Sequence, residues 1–259
     1  MRLLALNGPG QGHGPWRGAL VLQRAAGTPG VLLDPTGALA ARLDADPALR
    51  RDAGLDRGPR AVVLSSARID QVAGLIGLRH GQPIELYTSP SIFEDLTARV
   101  PVLPEVQRSC DVHWRLIPVA GDRARAVFQV PQLEGLQLTA VAGRSAPAAG
   151  RDGDGSVLGS PALALALDEP ASGRRAVWLH ARHRFGFGVG ALLNGADLIV
   201  VDAEPGEAGE DGKPDDALVD WLAAQPAPRK WLVGGGADAR GPLARIGIEL
   251  PLDGEPIEL

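Results

Sequence analysis

Lysine is nearly missing from this chain: of 26 basic residues only Lys213 and Lys230 are lysines, which leaves amine-based covalent catalysis little to draw on. Cysteine is scarcer still. The single Cys110 rules out a disulfide within the chain and any cysteine-based zinc site. It precedes Asp111 with no base close by in sequence, and no Gly-x-Ser-x-Gly elbow occurs, so nucleophilic catalysis finds no support. Histidines number five, scattered at positions 13, 80, 113, 180 and 183. No apolar run approaches the roughly 18–20 residues of a membrane helix, and the opening Met1–Gly8 is too short for a secretory signal. A cytoplasmic protein without a membrane partner is expected. A cationic excess is absent too: 31 acidic residues against 26 basic ones give a net charge of −5. With no clustered basic face, nucleic acid is not expected as a partner.

What is present is ordinary for a globular chain, with 45% apolar and 22% charged residues. Period-two and short apolar runs predict strands at Arg2–Leu6, Gly18–Gln23 and Gly30–Asp34. A helical stretch carrying Leu39, Leu43 and Leu49 follows, with Thr36 as its cap. A strand at 61–64, a helix near 69–79, a strand at Ile84–Tyr87 and a helix at 91–98 capped by Ser91 come next. Strands are then expected at Trp114–Pro118, Arg125–Val130, Leu136–Val141, Ala162–Leu167, Ala176–His180, Asp197–Asp202 and Arg229–Val233. Helices are expected near 190–194, 215–224 and 240–246. Segments 143–159 and 203–216 read as mobile surface loops of one domain spanning 1–259. Strands followed by strand–helix alternation, repeated once, predict an α/β (α+β) fold with two sheets face to face and helices outside.

The segment Ser65-Ser-Ala-Arg-Ile-Asp-Gln71 follows an apolar strand and opens a helix. With Gly8-Pro-Gly-Gln-Gly-His-Gly-Pro-Trp16, Leu78–Pro83, Tyr87-Thr-Ser-Pro90, Phe93–Thr97, Val102-Leu-Pro104 and Gly247–Leu259, it resembles the pyrroloquinoline quinone (PQQ) biosynthesis protein B family. That family is a branch of the metallo-β-lactamase superfamily. The resemblance runs in order along nearly the whole chain and implies a four-layer αββα sandwich. It also implies a role in making PQQ, either as an iron-dependent hydroxylase of a tyrosine-derived precursor or as a carrier of PQQ or its precursor. In the superfamily this strand–turn–helix carries His-x-His-x-Asp-His, which holds one or two metal ions. Here those positions read Ser66, Arg68, Asp70 and Gln71. One carboxylate remains and no imidazole does. The family's N-terminal cysteine cluster and its late imidazole are also absent, with Leu232-Val-Gly-Gly-Gly236 in place of the latter.

These departures set the expectations for the site. No metal and no cofactor is expected, and iron or zinc remains the alternative. Arg68 stands at the second imidazole position, where a guanidinium could grip a carboxylate of PQQ or a precursor, or simply be solvated. Ser66, Gln71 and His13 are the other candidate substrate contacts. Asp70 is either a retained ligand or a helix cap. If a metal binds, Asp70, His180, His183 and Asp202 are the candidate ligands, the histidine pair following a strand and Asp202 ending one. The glycines at 8–14 fit a tight turn or an anion contact but no dinucleotide fingerprint, and Gly234–Gly236 fit a turn. The expected function is a non-catalytic binder of a carboxylate-rich small molecule. The alternatives are the metal-dependent hydroxylase and a divergent paralogue with an unrelated ligand. A homodimer stays open.

Overall fold

Apolar runs of three to nine residues, set off by Gly, Pro and Asp, form the strands of the computed structural model. It describes residues 1–7, 18–78, 82–145, 161–181, 183–185, 188–203, 216–233 and 240–259, with backbone alone at 7, 18, 144–145, 183–185 and 188. The first half gives β1 (Arg2–Asn7), β2 (Gly18–Gln23), β3 (Val31–Leu33), α1 (Leu39–Ala45) and α2 (Pro47–Asp52). β4 (Ala61–Val63) leads into two single turns, α3 (Ile69–Val72) and α4 (Gly74–Gly77). β5 (Ile84–Thr88), α5 (Pro90–Glu94), α6 (Val102–Val106) and β6 (Val112–Leu116) complete it. The second half has β7 (Arg125–Phe128), β8 (Gln137–Ser145), β9 (Pro161–Glu169), β10 (Arg174–His180), β11 (His183–Phe185) and α7 (Gly188–Leu193). It closes with β12 (Leu198–Asp202), α8 (Asp216–Ala223), β13 (Arg229–Val233), α9 (Arg240–Ala244) and β14 (Pro256–Glu258).

One sheet has the order β14-β1-β2-β3-β4-β5-β6, the other β11-β8-β9-β10-β12-β13 with β7 paired to β8. Each begins antiparallel and turns parallel: β3 to β6 are parallel neighbours, and so are β10, β12 and β13. Successive side chains on a strand point to opposite faces, and the second sheet uses both. Leu163, Leu165, Leu167, Ala176, Trp178, Leu198 and Val200 join the core shared with the first sheet. The intervening Ala164, Ala166, Val177, Leu179, Ile199 and Val201 pack on Leu192 and Leu193 of α7, Leu222 of α8 and Leu243 of α9. Helix, two sheets and helix thus form the expected αββα layers. Each fully buried leucine in the shared core contributes about 1.5–3 kcal/mol. No described helix is long and apolar enough to cross a membrane.

Several local expectations need correction. The helical stretch after residue 36 is two helices. Asp46 breaks it and caps α2, its carboxylate accepting from the backbone N–H of Ala48 and Leu49 at 3.1 and 2.9 Å, with Pro47 at the first helical position. The residue at the cap position of α1 is Ala38, not Thr36, and it makes no side-chain cap. Ser89, not Ser91, caps α5, because Pro90 occupies the first turn. The helix near 69–79 breaks at Ala73. Gly74 lies so close to the preceding loop that a Cβ there would come within 2.2 Å of the Thr36 carbonyl oxygen and 2.5 Å of that of Pro35. The strand predicted to end at Val141 runs on to Ser145. The remainder of the loop expected at 143–159, and nearly all of that at 203–216, lies outside the described residues.

Candidate functional site

In open α/β sheets ligands gather beyond the carboxyl ends of parallel strands, and here the polar residues of both sheets converge on that end. Asp34 follows β3, Ser65 and Ser66 follow β4, His180 ends β10 and Asp202 ends β12. The parallel pairing of β10 with β12 sets His180 opposite Asp202. Ser66 bridges to Ala162, and the Leu163 N–H donates to the Ser65 carbonyl at 2.7 Å, which ties the loop after β4 to the facing sheet.

His180 is the centre of the cluster and is 1% exposed. Its Nε2 lies 2.5 Å from Ser65 Oγ and 3.2 Å from Asp34 Oδ2. Its Nδ1 lies 2.6 Å from Gln71 Nε2 and 3.2 Å from Asp202 Oδ2. Asp34 adopts a left-handed backbone conformation, φ 48°, which an aspartate tolerates better than most residues. That turn aims its carboxylate inward, where it accepts from the Ser65 N–H at 2.8 Å, Ser65 Oγ at 2.5 Å and Trp178 Nε1 at 3.1 Å. Burial works against a charge on the His180 ring, but the hydrogen bonds and charges of Asp202 and Asp34 outweigh it and hold its pKa up at about 10. The ring is therefore an imidazolium at neutral pH, donating from both nitrogens. Gln71 completes the ring's surroundings, also donating to Asp202 Oδ2 at 3.2 Å and accepting from Ser66 Oγ. An amide's oxygen and nitrogen are interchangeable in shape. Turned over, Gln71 would accept the Nδ1–H of the charged ring and donate to Ser66.

Ser65, His180 and Asp202 have the connectivity of a nucleophile, base and orienting acid. Ser65 is completely buried, however, and its hydroxyl proton goes to Asp34. It is a structural hydroxyl.

Beside the cluster and nearer the surface stand Arg68 and Asp70, 26% and 16% exposed, paired at 3.2 Å. Arg68 precedes α3 and its N–H donates to Ser66 Oγ at 3.3 Å. Asp70 sits inside the first turn of α3, which has no side-chain cap, so the capping role expected for it is corrected: it meets a guanidinium instead. Ile69, between them, is 55% exposed.

The structure thus gathers Ser66, Gln71, His180 and Asp202, and pairs Arg68 with Asp70 beside them. His183 has its backbone in β11, opposite Ser145, and its side chain lies outside the described residues, as do His13 and Gly234–Gly236. Sequence reading missed Asp34 and Ser65. The available signal was the carboxylate closing the apolar run Gly30-Val-Leu-Leu-Asp34, the same pattern that drew attention to Asp202. As metal donors the residues present fit poorly. A hydroxyl, an amide and a guanidinium occupy three of the four motif positions, and both nitrogens of His180 are engaged. Among the described residues no group of three or more His, Cys, Asp or Glu side chains is placed to hold a metal ion.

Residues 30–233 match the family described as beta-lactamase superfamily domain. Coenzyme PQQ synthesis protein B of Cupriavidus necator is 28% identical, the alignment covering 90% of this chain and 84% of that protein. The protein of the same description from Nitrosococcus oceani is 31% identical over 68% of this chain and 58% of its own length. Zn(2+)-bound PqqB from Methylobacterium extorquens superposes with a TM-score of 0.68 over the whole of both chains at 17% identity. A diphosphatase of the PhnP family gives 0.66 at 15% identity, covering 100% of this chain and 97% of that one. At such identities the structural likenesses speak for the fold.

Proposed function

The chain belongs to the beta-lactamase superfamily, and from that premise we propose that it serves PQQ synthesis as a binder of PQQ or of a carboxylate-rich precursor, with a proton and a hydrogen-bond network where the superfamily places metal. The observation that carries this reading is the engagement of both His180 nitrogens by Ser65, Asp34, Gln71 and Asp202 at 2.5–3.2 Å. A ring held on both sides has no lone pair to offer a metal. The likeness to the PQQ synthesis proteins B of Cupriavidus and Nitrosococcus supports the pathway.

Each group then has a definite task. The His180 imidazolium offsets one of the two negative charges of Asp34 and Asp202 and so lessens the repulsion that an anion would meet there. Arg68 presents its guanidinium nearer the surface, where a ligand carboxylate takes the place of Asp70 in a two-point pairing. Ile69 offers apolar area to the flat ring of such a ligand. Ser66 and Gln71 supply hydroxyl and amide contacts at the depth where the superfamily holds metal.

The test is a calorimetric titration of the protein with PQQ in the presence of a chelator, repeated with Arg68→Ala. Saturable binding weakened about tenfold or more in the variant is expected, on the scale of one lost charge-assisted hydrogen bond. Absence of saturable binding, or equal binding by the variant, defeats the proposal. Turnover of a tyrosine-derived precursor that needs added iron(II) would favour the hydroxylase reading instead.

A further inference from the structure

At the opposite end of β3 and β4 lies a cleft of about 370 Å³, lined by Gly27–Gly30, Arg51, Gly54, Asp56–Gly58, Arg60 and Gln132. Gly27–Gly30 precede β3 and Asp56–Arg60 precede β4, so this cleft sits where those strands begin, whereas Asp34 and Ser65 stand where they end. Its volume is within the range of small-molecule sites, at the lower end.

The charge balance of the cleft is unusual for this chain. Three arginines and a single acid, Asp56, line it, in a protein of net charge −5. Many arginines elsewhere pair with acids, as in Arg2–Asp52, Arg42–Asp253, Arg115–Glu85 and Arg175–Asp168, and those that do not among the described residues, such as Arg24 and Arg245, do not line this cleft. Arg51, Arg57 and Arg60 form no ion pair among the described residues, although Asp56 lines the same cleft. A fourth group points the same way. Gln132, on the short turn after β7, lines the cleft and has a buried Oε1 without a hydrogen-bond partner. A buried acceptor left unpaired costs about 1–3 kcal/mol, a deficit that is removed when the half-buried Gln132 side chain turns its Oε1 into the cleft to meet a donor.

We propose that this cleft is a binding site for a small, multiply charged anion that also carries a hydroxyl. Arg51, Arg57 and Arg60 pair with its charges and Gln132 Oε1 accepts its O–H. The two anion chemistries that satisfy this description are a hydroxylated polycarboxylate and a phosphate monoester of a polyol.

Citrate, propane-1,2,3-tricarboxylate (citrate without its hydroxyl), ribose 5-phosphate and inorganic phosphate serve as probes for calorimetric titration of the full chain. One of citrate or ribose 5-phosphate should bind saturably, and which of them does so assigns the anion chemistry. The Arg57→Ala/Arg60→Ala double variant, whose exposed side chains leave the fold intact, should bind it at least tenfold more weakly. Gln132→Leu should erase the preference for citrate over its deoxy analogue, or for ribose 5-phosphate over inorganic phosphate. Arg68→Ala should leave binding unchanged, which separates this cleft from the site at the other end of the strands. Binding of none of the probes, or binding that the double variant retains in full, overturns the proposal.

Discussion

Exchanging His180 for glutamine should reduce stability by about 3–5 kcal/mol near pH 7, the usual cost of leaving a buried charge without its partner. The geometry sets this scale. Asp34 is 2% exposed, and its Oδ2 lies 3.2 Å from Nε2 of a ring whose pKa is held at about 10. A rise from 6.5 to about 10 corresponds to a ceiling of roughly 5 kcal/mol. The pH dependence makes a sharper test. A raised pKa stabilises fully below 6.5, where folded and unfolded rings are both protonated, and its contribution disappears as pH climbs towards 10. Between those values the folded chain holds one more proton than the unfolded one, so stability should fall by about 1.4 kcal/mol per pH unit. Urea unfolding followed by tryptophan fluorescence at pH 7, 8 and 9 should therefore register a loss of roughly 2–3 kcal/mol in the parent protein, and no such slope in His180→Gln. Cys110 and Tyr87, whose pKa values burial raises, change charge at or above the top of this window and do so equally in both proteins. A parent whose stability is level from pH 7 to 9, or a variant that keeps the slope, would refute the charged-ring assignment.

Two further outcomes follow from other parts of the chain. Anaerobic titration with iron(II), and separately with zinc(II), should give no stoichiometric tight site. A one-to-one complex abolished by Asp202→Asn would contradict the hydrogen-bonded arrangement of His180. Gly74→Ala should lower the urea midpoint by an amount equivalent to about 1–3 kcal/mol, because the new Cβ meets the backbone carbonyls of Thr36 and Pro35 rather than a side chain that can swing aside. Unchanged stability there would mean that the loop before α1 yields easily.

How much of this was legible beforehand depended on distance along the chain. The alternation at 162–167, 176–180 and 197–202 announced strands with two working faces, and the leucines and valines of both faces found separate cores. Local chemistry was harder where two signals competed. Ser89 and Ser91 flank the same proline, and only the serine before Pro90 has its hydroxyl placed for the first free N–H groups. Asp46-Pro47 ends one helix and begins the next, while the leucine spacing reads through both. Ser66, Arg68, Asp70 and Gln71 of the candidate site drew attention in the sequence because a resemblance aligned them with a known motif. Asp34 did not, since its meaning lies in Trp178 and His180, 144 and 146 positions away. No periodicity or capping rule spans such a separation.

The pairing of His180 with Asp202 belongs to the register of β10 and β12, and this has a bearing on how such a protein can diversify. Two side chains held together by a ladder do not depend on the lengths of the segments that follow them. Insertions, deletions and exchanges after either strand can therefore accumulate without moving the pair. The loops beyond the strands are then free to drift while the charged pair is inherited with the sheet.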